Sequence, residues 1–248
     1  MIRRRLFGAS LLLLSAALLA GCLYPGAGGA GGAGGNDARL AREEAERVAS
    51  AVAAYRGKTG VFPILNADAS VPEYEKYVID LGGLVRGGFL RELPRSAYES
   101  GGVFYFLLVH PETDPVVMLM DLTAVQQVGD LQREVDAYRE RSGGALPILF
   151  EVSPNFYAVD YDALRREPLY IRSRYSGQYL PALLHASGRV LIDYGLDLVQ
   201  AAREAPDGPP GDGGDARKWL EKVSPYAPVK SFPYVWRDGE PHLAEPAG

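Results

Sequence analysis

Arg165, Arg166, Arg172 and Arg174 fall within ten residues of a chain whose 26 Lys and Arg are outnumbered by 31 Asp and Glu. Tyr170, Tyr175 and Tyr179 interleave with them. A guanidinium is a planar fork of donors that matches a carboxylate, and a tyrosine face attracts a cation. The stretch therefore suits an anionic polymer, a carboxylate or a protein partner. Tyr170, Arg172, Arg174 and Tyr175 are the candidate partner-binding residues, expected to form an exposed patch beside a hairpin. The competing reading is a solvated loop whose arginines pair with nearby acids, each exposed pair adding about 0–1 kcal/mol.

Other chemistry has little support. His110, His185 and His242 lie far apart, without the close spacing of a metal site, and each is expected in a turn or at the surface. No nucleophile elbow or phosphate-cradling loop occurs. The pairs Gly82-Gly83, Gly87-Gly88 and Gly101-Gly102 lack the helix-opening context of a nucleotide loop. With 31 acids, carboxylate pairs arise by chance, so a glycosidase has no specific support. Asp80, Asp160, Asp121 and Asp193 recur in matching contexts and are expected to cap or turn the chain as it leaves a strand. No catalytic residue, metal or cofactor is expected, and the chain reads as non-enzymatic.

Cys22 carries a different chemistry. It is the one cysteine, and it ends the run Leu19-Ala20-Gly21-Cys22. Ahead of it stand the positive Arg3-Arg4-Arg5 and an apolar segment over 6–20. That segment is shorter than the roughly 20 apolar residues a membrane span needs, and its flanks are those of a cleavable signal. The pattern resembles a bacterial lipobox, which implies lipidation of Cys22 and removal of residues 1–21. Two or more acyl chains anchor stably where one binds only marginally, at about 10⁴ M⁻¹. The expected address is the extracytoplasmic face of the cell membrane. Loss of the three arginines leaves 23 basic against 31 acidic residues, a net charge of −8. Such a surface should not bind nucleic acid or anionic lipid non-specifically.

Residues 22–36 are dominated by Gly and Ala and read as a flexible tether with a typical reach of roughly 20 Å. The remaining body is long enough for a sizeable core. Its pattern is that of an α+β fold. A helix starts with Asp37 as its cap, carries Leu40, Glu44, Val48, Val52 and Tyr55 at helical spacing, and ends by Gly57 and Gly60. Apolar runs over 103–109 and 116–122, joined by Pro111-Glu112-Thr113-Asp114-Pro115, predict a hairpin. A second helix follows over 123–141. A second hairpin is expected over 179–185 and 189–194, and a third helix over 196–204. Residues 206–214 form a Gly, Pro and Asp linker. The last segment, 215–248, holds a short helix over 215–223, and Pro225, Pro228 and Pro233 make 226–236 extended. It carries Trp219, Phe232, Tyr234 and Trp236, too apolar for a solvated tail, and should dock on the body.

The chain also repeats itself. Val52-Ala53-Ala54-Tyr55-Arg56 matches Val135-Asp136-Ala137-Tyr138-Arg139, and Pro63-Ile64-Leu65 matches Pro147-Ile148-Leu149. Tyr77-Val78-Ile79-Asp80 matches Tyr157-Ala158-Val159-Asp160, and Met118-Leu119-Met120-Asp121 matches Val190-Leu191-Ile192-Asp193. Four matches in one order predict a tandem duplication. The two modules, 37–128 and 129–205, would each hold a helix, a Gly/Pro loop and an antiparallel hairpin.

Two resemblances bear on function. The Ala-Tyr-Arg helix end followed by Thr59-Gly60-Val61-Phe62-Pro63 is similar to the end of the long helix in type II pseudopilins. The lipobox stands where a pilin has its assembly helix, which argues against a pilus subunit. Over the whole chain, Ala20-Gly21-Cys22-Leu23-Tyr24-Pro25, Tyr74-Glu75-Lys76-Tyr77 and Ala97-Tyr98-Glu99-Ser100-Gly101-Gly102-Val103 resemble the YphF-like lipoproteins of spore-forming bacilli. That family has been labelled a transporter binding protein, which implies solute binding. The residues themselves point to a lipid-anchored binding or assembly module whose partner is an envelope protein or an anionic polymer. A transporter-associated solute-binding lipoprotein is the alternative.

Overall fold

The first helix, α1 (Ala33–Thr59), closes on Gly60, whose left-handed φ of 80° ends the helical path. The computed structural model describes residues 33–205 and 214–246. The signal segment 1–21, Cys22, the tether as far as residue 32 and most of the 206–214 linker lie outside the described residues. α1 begins ahead of the expected cap at Asp37, so residues 33–36 belong to the helix rather than to the tether. Once a helix is nucleated, each added residue gains a hydrogen bond, and Ala33 and its neighbours extend it backwards.

The chain then forms α2 (Glu73–Lys76), α3 (Leu81–Arg86) and the hairpin β1 (Phe104–Val109) and β2 (Val116–Asp121). α4 (Leu122–Arg141) leads to β3 (Ile148–Ser153), β4 (Phe156–Val159) and α5 (Tyr161–Leu164). β5 (Tyr170–Arg172), β6 (Tyr179–His185), β7 (Val190–Ile192) and α6 (Gly195–Glu204) follow. The tail holds α7 (Arg217–Val223), β8 (Tyr234–Arg237) and β9 (Glu240–Leu243). The fold is α+β with antiparallel hairpins, as the sequence pattern implies.

Hydrogen bonds recur in the two halves. Ile64 bridges Ile79 as Ile148 pairs with Val159. Asp80 and Asp160 donate their N–H to the carbonyls of Pro63 and Pro147, both at 2.8 Å. Their carboxylates then cap α3 and α5, accepting from Gly83 N at 2.7 Å and Ala163 N at 2.9 Å. Thr59 and Ser142 send their hydroxyls back to the carbonyls of Tyr55 and Tyr138. Val78 bridges Leu107 as Ala158 pairs with Leu183, and Leu107 then pairs with Met118 as Leu183 pairs with Leu191. By these pairings Met118 is placed as Leu191 is, one residue on from Val190, which the sequence match sets against it. Asp121 therefore caps its own helix, while Asp193 sits one residue before the cap position of α6.

A boundary at 128/129 falls inside α4. Gly129 weakens a helix by about 1 kcal/mol relative to Ala, but Val128, Leu131 and Val135 around it are all buried and hold the helix continuous. Residues 33–121 and 122–205, here the first and second halves, share a core. β1 and β2 turn Phe106, Leu108, Val117 and Leu119 towards Ala45, Val48 and Val52 of α1. Their other face, Leu107, Val109, Met118 and Met120, packs with Val128, Leu131 and Val135 of α4. Leu184, Val190 and Ile192 of the second sheet join that same cluster, so α4 is packed between the sheets.

The tail lies against both halves. Leu119 donates to the Pro225 carbonyl at 2.8 Å and accepts from Ala227 N at 2.9 Å, while Ile192 donates to the Lys230 carbonyl at 2.7 Å. Phe232, Tyr234 and Trp236 are buried. Residues 234–243 are a hairpin rather than a plain extended run. Asp238 and Gly239 both take positive φ, 51° and 83°, the two-residue turn that matches strand twist.

Candidate functional site

The Arg/Tyr stretch divides at residue 173. Ahead of it, β5 pairs with β6 in the register Tyr170 with Pro181, Ile171 with Leu180 and Arg172 with Tyr179. Side chains alternate across a strand. Ile171 and Leu180 enter the core, while Tyr170, Arg172 and Tyr179 face solvent, the tyrosines 57% and 65% exposed. Among the described residues no carboxylate pairs with Arg172. A guanidinium flanked by two exposed phenol rings can take a carboxylate and stack on an apolar or cationic group at once.

From residue 173 on, the side chains bond to other parts of the chain, although Arg174 stays partly exposed. The Ser173 hydroxyl donates to Asp197 Oδ2 at 2.6 Å and accepts the N–H groups of Tyr175 and Ser176, each at 3.0 Å. Ser176 donates its hydroxyl to the other oxygen of Asp197. Burial pushes the Asp197 carboxyl above its usual range, and the two serine hydroxyls work against that shift. Arg174 Nε donates to Asp121 Oδ2 at 2.6 Å, and its guanidinium lies 5.4 Å from the Phe104 ring centroid. The bond to Asp121 is the main reason its pKa lies above the ordinary arginine value. Tyr175 donates to Glu204 Oε2 at 2.9 Å, and burial, reinforced by that carboxylate, pushes its phenol up. Arg166 pairs with Glu134 at 3.0 Å, and Arg165 ends α5 with a φ of 56°. Among the described residues the four candidates therefore differ in engagement, two free and two already partnered. Tyr170 and Arg172 face outward; Arg174 and Tyr175 hold the turn to α4's cap and to α6.

Between the halves, Asp121, Arg174, Tyr175, Tyr194 and Tyr226 line a cavity of about 30 Å³. A water needs at least about 10–15 Å³ measured in this way, and small-molecule pockets run to hundreds. The cavity has room for a water or two and none for a solute. The histidines serve the tail. His110 sits with Nδ1 2.7 Å from Glu73 and Nε2 2.9 Å from Glu221 of α7. His185 stands at the hairpin turn, its carbonyl accepting from Gly188 N at 2.8 Å, and its buried ring contacts Ser187 at 2.8 Å and Glu245 at 3.0 Å. Among the described residues no group of three or more His, Cys, Asp or Glu could hold a metal ion. No helix among them is long and apolar enough to cross a membrane. Cys22 lies outside the described residues.

Sequence reasoning named Tyr179 as part of the stretch but left it out of the candidate site. The signal was present: a strand pair over 170–172 and 179–181 sets it opposite Arg172. Nothing local marks Arg174 as engaged, because its partner Asp121 is 53 residues away.

Residues 41–121 match the family model of the YphF family N-terminal domain. The span starts within α1 and ends on Asp121, so it covers the first half and stops before the Tyr170–Arg172 face. No curated protein and no solved structure matches the chain.

Proposed function

We propose that this chain is a lipid-anchored lipoprotein of the cell envelope, held on the extracytoplasmic face by acyl chains on Cys22, and that it acts as a non-enzymatic binding or assembly module. Its partner is an envelope protein or anionic polymer that presents carboxylates to the Tyr170–Arg172–Tyr179 face. The observation carrying this reading is the contrast among the arginines: Arg166 and Arg174 are each spent on an internal acid, while Arg172 stands between two exposed tyrosines. The lipobox supports the address, and the match of residues 41–121 supports kinship with the YphF family. The recurring hydrogen bonds support a tandem duplication of one helix-and-hairpin unit as the origin of the body. A solute-binding role beside a transporter is the weaker reading, because the cavity lined by Asp121, Arg174 and Tyr226 has room only for a water or two.

Two experiments test the proposal. Cys22→Ser should abolish incorporation of a fatty-acid analogue and leave precursor or shed protein; equal label on both proteins removes the anchor. Cross-linking in intact cells should capture a partner that the double change Tyr170→Ala, Arg172→Ala loses, with the melting temperature held. Undiminished capture at undiminished stability makes this face plain solvated surface.

A further inference from the structure

The outer edge of the hairpin is finished differently in the two halves. In the second half, Gln132 of α4 closes it. The carboxamide accepts from Val190 N at 2.7 Å and donates to the Gly188 carbonyl at 2.9 Å. Donating to one residue and accepting from the residue two further on is what the peptide units of a parallel neighbouring strand do. The glutamine side chain thus replaces a strand.

In the first half that position is open. Val117 pairs with Leu108 as Val190 pairs with Leu184, so Val117 corresponds to Val190 and Pro115 to Gly188. The offset that relates Val52 to Val135 relates Ala49 to Gln132, and an alanine cannot reach the edge. Leu119 points its N–H and C=O out of the ladder, towards the tail. Alternation along an antiparallel strand sends those of Val117 the same way. Among the described residues no hydrogen bond reaches them. The tail pairs with Leu119 through Pro225 and Ala227, but the residues just before it belong to α7, so its cover stops short of Val117. What remains is a groove of about 500 Å³ lined by Ala49, Val52, Ala53, Phe62, Leu108 and Val117. Arg56 stands in its lining with the guanidinium 4.3 Å over the Phe62 ring, in no salt bridge among the described residues.

We propose that this groove binds an extended segment of a protein partner, laid parallel to β2. The segment's backbone donates to the Pro115 carbonyl and accepts from Val117 N, as the Gln132 carboxamide does at its counterpart. A small apolar side chain of the segment packs on Ala49 and Ala53, and an acidic residue meets Arg56. This is strand addition to a sheet edge, in which backbone bonds give affinity and the adjoining pocket gives selectivity. The site lies apart from the Tyr170–Arg172 face and does not depend on the lipid anchor.

The test builds the second half's solution into the first. A phage-displayed library of random dodecapeptides is selected on the purified full chain, and the enriched peptides are measured against Ala49→Gln. Peptides should be enriched, and Ala49→Gln should weaken them about tenfold or more, the scale of one to two lost hydrogen bonds. N-methylation of one peptide amide should weaken binding similarly. Bound peptide should slow hydrogen exchange at the Val117 amide, and Arg172→Ala should leave binding unchanged. If Ala49→Gln lowers the melting temperature, Ala53→Gln at an exposed position serves as the blocking variant. Failure to enrich any peptide, equal binding to the blocked protein, or loss of binding in Arg172→Ala would each overturn the proposal.

Discussion

The slot beside the start of the first hairpin strand is filled in opposite directions in the two halves. In the first, Ala97 meets Phe104 in a single parallel bridge. In the second, Ile171 meets Leu180 within an antiparallel ladder. Each places one buried apolar residue in the core, and each is secured by a buried carboxylate from a helix. Glu44 of α1 accepts from Arg95 N at 2.8 Å and takes the Ser96 hydroxyl. Asp197 of α6 takes the hydroxyls of Ser173 and Ser176. The first loop is so tight that a side chain on Gly102 would run into the Ser96 carbonyl. Reversal of direction is what gives the second half an extra strand, and a strand has two faces. The Tyr170–Arg172 face thus follows from how one slot is filled rather than from a difference in the frame.

The largest expected effect is at Glu44. Glu44→Ala leaves the half-buried Arg95 and Ser96 N–H groups without this acceptor and should cost about 2 kcal/mol in denaturant unfolding; a loss near zero would mean that the Ala97 bridge does not hang on this carboxylate. Next come the matched caps. Asp80→Ala and Asp160→Ala should each cost about 1 kcal/mol, and clearly unequal losses would break the equivalence of α3 and α5. Arg174→Ala should cost about 1 kcal/mol or less, since its pair with Asp121 is half-exposed. Arg172→Ala should stay within about 0.5 kcal/mol, as for surface changes generally; the same unfolding curves decide whether the two arginines differ. The smallest effect is a slope. Burial raises the Asp197 carboxyl, so just above the ordinary carboxylate value of about 4 the folded protein keeps a proton that the unfolded chain has released. Stability contributed by this group therefore falls as pH rises through that window. Asp197→Asn should flatten the dependence, and an unchanged slope would remove burial of this carboxyl as its source.

Local pattern made the frame legible. The helical spacing of Val48, Val52 and Tyr55, the aromatic run of β1 and the repeated aspartates all report on neighbours a few residues away, and those elements stand where the pattern puts them. Asp238-Gly239 is an equally local signal for a turn, whereas Pro225, Pro228 and Pro233 favour extension only ahead of it. Long-range partners were not legible. Glu44 reads as one more position on an amphipathic helix, but it is buried by a loop 51 residues on. Arg174 has the same sequence context as Arg172, and only the third dimension brings Asp121 to one and leaves the other in solvent.

The placement of the tail has a consequence for biogenesis. Residues 225–230 bond to Leu119 of β2 and to Ile192 of β7, so a segment made after both hairpins covers part of the outer edge of each. Contacts of such long sequence separation form late, because a large loop must close first. Until they form, the nascent chain carries two open strand edges, each a template for pairing with another molecule. A product truncated before Ser224 keeps both helix-and-hairpin halves and nonetheless uncovers Leu119 and Ile192 at their edges. It should accumulate as aggregate or be degraded, which makes arrival of residues 225–230 the checkpoint for the whole body.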